Sequence, residues 1–267
     1  MSYEKELEAA KKAALMAGRV AMKFYGKELG VELKDGDSPV TKADLAAEKV
    51  IFDMLRDSNY GLLSEESEEE NDRLYKERVW IIDPLDGTKG FIEGMDEFAI
   101  MIGLSDNGKS VVGVVYNPAS KIMYFASKGG GAYIQEADND PQEIQVSDAG
   151  DFKDVRLLIS RHHLLDLERN LAEKLNFKDK VFGTGAGLKA ATVCSGKAEL
   201  YINSSDRTGQ WDICASDIIV REAGGKLTDM GGQEIVYNVK EVKNLNGFVI
   251  SNGKIHERII EEIAKEK

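Results

Sequence analysis

The sequence predicts a protein of mixed helix and sheet, and three observations carry that expectation. Two segments with helical apolar spacing come first. A β-rich passage of short apolar runs separated by turn residues follows. Past a polar, acidic stretch at 136–151 the pattern changes to alternating strand and helix.

From Tyr3 to Tyr25 apolar residues recur at Leu7, Ala10, Ala14, Ala17, Ala21 and Phe24, and Gly26 supplies a stop. Asp35 to Pro39 reads as a loop, after which Thr41 caps a second helix from Lys42 to about Arg56. Asp44 falls three residues after Thr41, the spacing of a capping box with Asp in place of Glu or Gln. That position suits a helix-start carboxylate and a catalytic one equally. Gly61 to Ser64 reads as a short strand running out into Glu65 and Glu66, and Ser67 to Arg78 as a charged, solvated segment.

Val79 to Ile82 is an apolar run short enough for a buried strand. Asp83-Pro84 is expected to end it, because proline has no donor for the ladder, and Asp86-Gly87 then turns the chain. Two carboxylates, the Thr88 hydroxyl and several free amides are thereby crowded at one strand end. Such oxygens, without soft ligands, suit Mg²⁺ or a similar hard cation, and free amides suit a phosphate. Asp-Pro and Asp-Gly are also ordinary turn pairs, so this stretch alone leaves both readings open.

Strands at Ala99–Ser105 and Ser110–Tyr116 flank Asp106-Asn107-Gly108-Lys109, a hairpin signal. Further strands are expected at Ile122–Ala126 and Ala132–Gln135. The polar stretch containing Pro141 marks a boundary near residue 145, dividing the chain into 1–145 and 146–267. Beyond it come a strand (Val155–Ile159), a helix (Leu164–Leu175) and a short strand at Val181-Phe182. That strand leads into a glycine-rich turn from Gly183 to Lys189. A helix at Ala190–Ser195 and a strand at Glu199–Ile202 follow. Trp211 and Asp212 open a helix that Gly224-Gly225 ends. Strands at Lys226–Thr228 and Gly247–Ser251 and a helix from Lys254 to Ala264 close the chain.

The totals narrow the partners. A net charge of −12 argues against a nucleic-acid polymer, whose binding rests on Lys and Arg neutralising phosphates. No apolar run approaches the roughly 20 residues of a membrane helix, and the charged N-terminus has no signal-peptide core. Cys194 and Cys214 lack metal-type spacing and suit a reducing cytoplasm. If the partner is a small phosphate ester, an acidic protein must reverse its own field locally, which bound divalent cations do. Four acids stand at element ends: Glu65, Asp83, Asp86 and Asp212. As a set they would satisfy a two- or three-metal site for phosphate ester hydrolysis, with Glu65 and the Asp44/Thr88 pair orienting and deprotonating a water. Composition and spacing allow this without singling it out.

The motifs add a resemblance. Asp-Pro-Leu-Asp-Gly-Thr at 83–88 resembles the signature of the inositol monophosphatase superfamily, as does Trp-Asp-x-x-Ala at 211–215 followed by Gly224-Gly225. Ser64-Glu65-Glu66 and Pro39-Val40-Thr41-x-x-Asp44 stand in the same order as in that family, and the resemblance runs from the first helix to about Ser251. Where inositol monophosphatases typically carry Thr-Asn-Phe, this chain has Lys89-Gly90-Phe91, which resembles the 3'(2'),5'-bisphosphate nucleotidase branch. Ser160-Arg161-His162-His163 and Gly185-Ala186-Gly187-Leu188-Lys189 are similar to that branch's nucleotide-contact segments. One departure is visible: many bacterial members have Gly-Ser-Ser-Leu-Lys at the latter place, which bears on the fine substrate preference.

The resemblance implies an α+β fold, a five-layered αβαβα sandwich with the site between its halves. It implies two or three Mg²⁺ ions held by Glu65, Asp83, the Leu85 carbonyl, Asp86 and Asp212. Catalysis would fall to Asp44, Glu65 and Thr88. Substrate contacts would come from Asp86, Gly87, Thr88, Lys89, Ser160, His163, Gly185, Lys189 and Asp212. The implied reaction is hydrolysis of 3'-phosphoadenosine 5'-phosphate to AMP and phosphate by a lithium-sensitive cytoplasmic enzyme, monomeric or homodimeric. The alternatives are an inositol 1-phosphate or fructose 1,6-bisphosphate phosphatase and, from another class, a non-catalytic nucleotide or metal binder. A bisphosphate substrate also needs cations for its uncleaved phosphate. Lys189 in its glycine-rich turn would supply one, and His163 and Arg161 could add to it.

Overall fold

Helix and sheet layers alternate five deep in the computed structural model, which describes residues 2–27, 31–33, 39–56, 59–67, 71–161 and 165–266. The first layer is α1 (Glu4–Ala21) and α2 (Lys42–Leu55), joined through the small hairpin of β1 (Val31–Leu33) and β2 (Pro39–Thr41). The second is a seven-stranded sheet in sequence order: β3 (Gly61–Ser64), β4 (Arg78–Asp86), β5 (Ala99–Asp106), β6 (Lys109–Asn117), β7 (Ile122–Ser127), β8 (Ala132–Glu136) and β9 (Gln142–Glu143). Only β3 and β4 run parallel in it, and α3 (Thr88–Ile92) links β4 to β5.

The fourth layer is a five-stranded sheet built from β10 (Arg156–Ser160), β11 (Asp179–Gly183), β12 (Leu200–Asn203), β13 (Lys226–Thr228) and β14 (Phe248–Ser251), ordered β11-β10-β12-β14-β13. Helices α5 (Ala186–Cys194) and α6 (Cys214–Glu222) fill the space between the sheets, while α4 (Asp166–Lys174) and α7 (His256–Glu266) cover the outer face. No helix among the described residues is long and apolar enough to cross a membrane.

Strand alternation distributes the core among these layers. Trp80 and Ile82 face α1 and α2, whereas Val79 and Ile81 face the middle helices. In the second sheet Leu157 and Ile159 pack outward with α4 and α7, and Leu158 inward. Helix α1 buries Ala10, Ala13, Ala14, Ala17 and Gly18, a small-residue seam that lets it lie close to the sheet. A Cβ on Gly18 would stand 2.7 Å from the Tyr116 ring.

Several sequence expectations need correction. Helix α1 ends at Ala21 rather than Tyr25. The charged segment before β4 is not simply solvated: it holds a 3-10 helix at Asn71–Tyr75 whose Arg73 is 2% exposed. The glycine-rich turn is shorter than expected, so Lys189 lies inside α5 rather than ahead of it. Trp211 and Asp212 belong to a 3-10 helix, Gln210–Asp212, and α6 begins at Cys214.

The correction that matters most concerns Asp83-Pro84. Strand β4 runs through it to Asp86, with a register shift against β5 between Asp83 (opposite Met101) and Asp86 (opposite Ala99). Proline is tolerated inside a strand at such an irregularity. Three residues apart on a regular strand, the two aspartates would face opposite sides. Here Leu85 joins the α1/α2 core, and both carboxylates reach a common cluster.

A second device sets the middle layer. Gly103 and Gly113 pair across β5 and β6, and the start of α6 rests on them. A Cβ on Gly103 would lie 2.7 Å from Cys214 Sγ, and one on Gly113 only 2.0 Å from the Ala215 carbonyl oxygen. Ser110 Oγ donates to the Cys214 carbonyl at 2.7 Å, tying the same turn to the sheet. Gly113→Ala should therefore lift α6 from its seat and destabilise the fold by about 3 kcal/mol, at the upper end of overpacking costs. Urea unfolding monitored by circular dichroism measures this, and a parent-like midpoint would contradict the seating.

Candidate active site

At the end of β4 the irregular backbone is stabilised by Asp83 itself, whose Oδ1 accepts the Leu85 amide at 2.9 Å. Asp86 reaches in the other direction. Its Oδ1 and Oδ2 accept the amides of Ala186 (2.9 Å) and Gly187 (2.8 Å), the otherwise unpaired donors at the start of α5. Gly185 is required for that approach. Its φ is +66°, and a Cβ there would come within 2.6 Å of Asp86 Oδ2. Asp212 enters from the 3-10 helix before α6 and accepts the Gly209 amide at 2.6 Å.

These three carboxylates converge, each offering an oxygen within 4.8 Å of the others'. Glu65 stands outside that tight set, but its charge acts on Asp83. Burial pushes Asp83 well above the usual carboxylate range, and the charges of Glu65, Asp86 and Asp212 add to the effect. Asp86 is raised by burial against the opposition of the Ala186 and Gly187 amides and the Lys189 charge. Asp212 is pushed up to about 7, by desolvation and then by Asp86. A converging all-oxygen set whose proton affinity is raised fits a hard divalent cation, which would compete with protons for the same oxygens.

Beside the cluster, Asp44 is buried and serves two partners. Its Oδ2 accepts the Thr41 amide (2.8 Å) and hydroxyl (2.5 Å), completing the capping box at the start of α2. Its Oδ1 lies 3.3 Å from Thr88 Oγ1, whose hydroxyl has the Leu85 carbonyl as its other acceptor at 3.0 Å. Burial raises Asp44, with the Thr41 and Thr88 hydrogen bonds opposing it. Of the two readings open in the sequence, the helix-start carboxylate is the one seen, and the same side chain also lies beside Thr88.

The other expected contacts gather on the α5 side. Ser160 pairs in register with Gly183, and the Arg161 amide donates to the Gly183 carbonyl at 3.1 Å, so the β10 end and the glycine-rich turn are adjacent. Lys189 is buried in α5 with Nζ 4.4 Å from the centre of the Tyr201 ring, and its charge lowers both Asp86 and Asp212. Gly87, with φ +87°, turns β4 into α3, on which Thr88 and half-buried Lys89 sit. Gly90 fits closely, since a Cβ would lie 3.2 Å from both the Glu97 carbonyl oxygen and Thr184 Oγ1. His163 lies outside the described residues.

Sequence reasoning missed Glu97. Its carboxylate accepts Arg161 Nη2 and the Thr184 amide, both at 3.1 Å, and its carbonyl accepts the Thr184 hydroxyl at 2.5 Å. It thus fastens the loop after α3 to the two segments expected to meet substrate. Gln210 and Asn238 were also missed; they hold the Asp212 segment through side-chain and backbone bonds. None of these residues lies in a motif, and each partner is distant in sequence. No local signal marks them.

Comparison with known proteins adds a family. The profile described as the inositol monophosphatase family matches residues 2–267. A 3'(2'),5'-bisphosphate nucleotidase, CysQ, of Salmonella typhimurium is 37% identical over 250 residues, covering 92% of this chain and 99% of that protein. Among solved structures, the Thermotoga maritima IMPase superposes with a TM-score of 0.82 at 29% identity, covering 98% of this chain and 99% of that one. CysQ from Bacteroides thetaiotaomicron gives 0.82 at 29% identity, with coverage of 94% and 98%. The α+β sandwich is the one those proteins share.

The proton affinity of the cluster has a measurable consequence. Because the folded pKa values of Asp83, Asp86 and Asp212 exceed those of free carboxylates, the metal-free fold loses stability as pH rises from the free-carboxylate range through those raised values, that of Asp212 being about 7. Cations must compete with protons at lower pH. The rise in melting temperature on replacing EDTA by Mg²⁺ should therefore be larger at pH 8 than at pH 6. Each tenfold excess of Mg²⁺ over its Kd should add about 1.4 kcal/mol. An increment that is equal at both pH values, or larger at pH 6, would contradict this.

Proposed function

The chain belongs to the inositol monophosphatase family, and we propose that within it the protein is a Mg²⁺-dependent 3'(2'),5'-bisphosphate nucleotidase converting 3'-phosphoadenosine 5'-phosphate to AMP and phosphate. The observation that carries the chemistry is the convergence of Asp83, Asp86 and Asp212, brought together from distant parts of the chain. The near full-length likeness to the Salmonella nucleotidase supports the substrate. Lys89-Gly90-Phe91 after the Asp-Gly-Thr turn supports it too. The equal structural likeness to an IMPase and to a CysQ protein bears on the fold, not on the choice of ester.

In this reading the site lies between residues 1–145 and 146–267. Glu65, Asp83, Asp86, Asp212 and the Leu85 carbonyl would hold two or three Mg²⁺ ions. When bound, such ions supply charge neutralisation at the phosphate and lower the pKa of water. The protein's own groups do the rest. With the Thr88 hydroxyl proton directed to Asp44, the Thr88 oxygen presents a lone pair to a water proton and orients that water for attack. Glu65 would be a second acceptor for that water. The amides of Gly87 and Thr88 receive phosphate oxygens. Ser160, His163, Gly185 and Lys189 would contact the adenylate part, and Lys89, Asp86 and Asp212 would be further substrate contacts. The cytoplasm, with small phosphate esters in solution, suits a chain whose two cysteines are buried thiols.

Purified protein in Mg²⁺ should release phosphate from 3'-phosphoadenosine 5'-phosphate at least about tenfold faster than from inositol 1-phosphate or fructose 1,6-bisphosphate at equal concentration, a preference of about 1.4 kcal/mol. The reverse ranking would assign the protein to its sugar-phosphate relatives, and no release from any ester would favour a binder. Asp83→Asn should lower kcat by more than about a hundredfold, beyond the usual cost of disturbing a ligand's partner, while nucleotide binding persists. Millimolar Li⁺ should inhibit turnover, and insensitivity at high millimolar Li⁺ would count against the family chemistry.

A further inference from the structure

Asp212 is the one clustered carboxylate contributed by residues 146–267, and it sits on an irregular segment before α6. Its neighbours are held by the long connection between β13 and β14, residues 229–247. The Gln210 amide donates to the Val242 carbonyl at 2.8 Å, Gln210 Nε2 to the Glu241 carbonyl at 3.1 Å, and Asn244 Nδ2 to the Gly209 carbonyl at 2.7 Å. The segment carrying Asp212 is therefore as well placed as the connection that holds it.

That connection is in turn fastened across to the first half at Asn238. Asn238 Nδ2 donates to the carbonyls of Arg73 (2.9 Å) and Lys76 (3.2 Å), and its Oδ1 accepts Arg73 Nη1 at 3.0 Å. Its backbone amide donates to Gln210 Oε1 at 2.7 Å, two residues before Asp212. Arg73 Nη1 also reaches the Val239 carbonyl at 3.1 Å. The 3-10 helix bearing Arg73 rests on the start of β3, since a Cβ on Gly61 would stand 3.0 Å from Arg73 Cβ. At its other end β3 leads directly to Glu65. Asn238 adopts φ +55°, a left-handed conformation that Asn tolerates better than most residues.

We propose that Asn238, gripped by Arg73, is a positioning residue that fixes the Asp212 segment against the half holding Asp83 and Asp86, and so sets the site's affinity for its cations; the proposal rests on the metal-dependent reading above. The physical need is clear. Like charges brought this close repel, and the repulsion acts to drive the segment least embedded in a sheet away from the others. Asn238 is suited to oppose it because its side-chain donors and acceptor are committed to Arg73 and Lys76 of the first half while its amide is committed to the Asp212 segment. It touches no reacting atom.

The test is calorimetric Mg²⁺ titration of the full chain and of Asn238→Gly, which removes the side chain while accepting the left-handed backbone. The Mg²⁺ Kd should rise about tenfold, as it does when a metal ligand's supporting partner is lost. The Mg²⁺ half-saturation of phosphate release should shift in parallel, with kcat at saturating Mg²⁺ within about twofold of the parent. Arg73→Lys keeps the charge but loses the fork, and it carries the same expectation should N238G not fold. A folded variant with parent-like Mg²⁺ affinity would overturn the proposal, as would a lower melting temperature in EDTA with unchanged affinity, the mark of a merely structural residue. A parent that binds no Mg²⁺ overturns the metal-dependent reading and this inference with it, whereas a parent that binds Mg²⁺ as tightly as its variants do overturns this inference alone.

Discussion

Everything near the site answers to one electrostatic constraint. Asp83, Asp86 and Asp212 are held with oxygens within 4.8 Å of one another in a largely desolvated place. At that separation two full charges repel by about 3–4 kcal/mol, even at an effective dielectric of 20. That repulsion and the burial together raise the proton affinity of all three carboxyls, Asp212 to about 7. Such an arrangement is costly for a structural cluster and sensible for one whose charge is completed by a cation.

The fold bears that strain through backbone donors and close-fitting glycines. Asp86 caps α5, Asp83 holds its own strand irregularity, and Asp212 takes the Gly209 amide. Gly185 lets the α5 turn reach Asp86, while Gly103 and Gly113 let α6 settle onto the first sheet. A rigid scaffold on both sides makes the convergence reproducible, which is what an electrostatically preorganised site needs. Lys189 and Lys243 soften the field without entering the cluster.

Much of this was legible in the sequence because it is local. The hairpin at Asn107-Gly108, the Thr41/Asp44 capping box and the acids at element ends follow from short-range rules. Where the sequence misled, the reason was tertiary. Pro84 reads as a strand terminator, but the ladder passes it through a register shift, and that shift turns Asp83 and Asp86 toward one another. Arg73 reads as one more charge in a solvated run, yet Asn238, far along the chain, buries it. Glu97 was invisible for the same reason, since its partners Arg161 and Thr184 become neighbours only after both sheets have stacked.

These carboxylates, on this reading, form a cation centre. The most direct measurement is anomalous diffraction from crystals soaked in Mn²⁺, a hard-cation substitute for Mg²⁺ with a usable signal. Anomalous peaks are expected between Asp83, Asp86 and Asp212, with Glu65 and the Leu85 carbonyl turned toward them. Fully occupied Mn²⁺ elsewhere on the protein, with no peak between these residues, would contradict it.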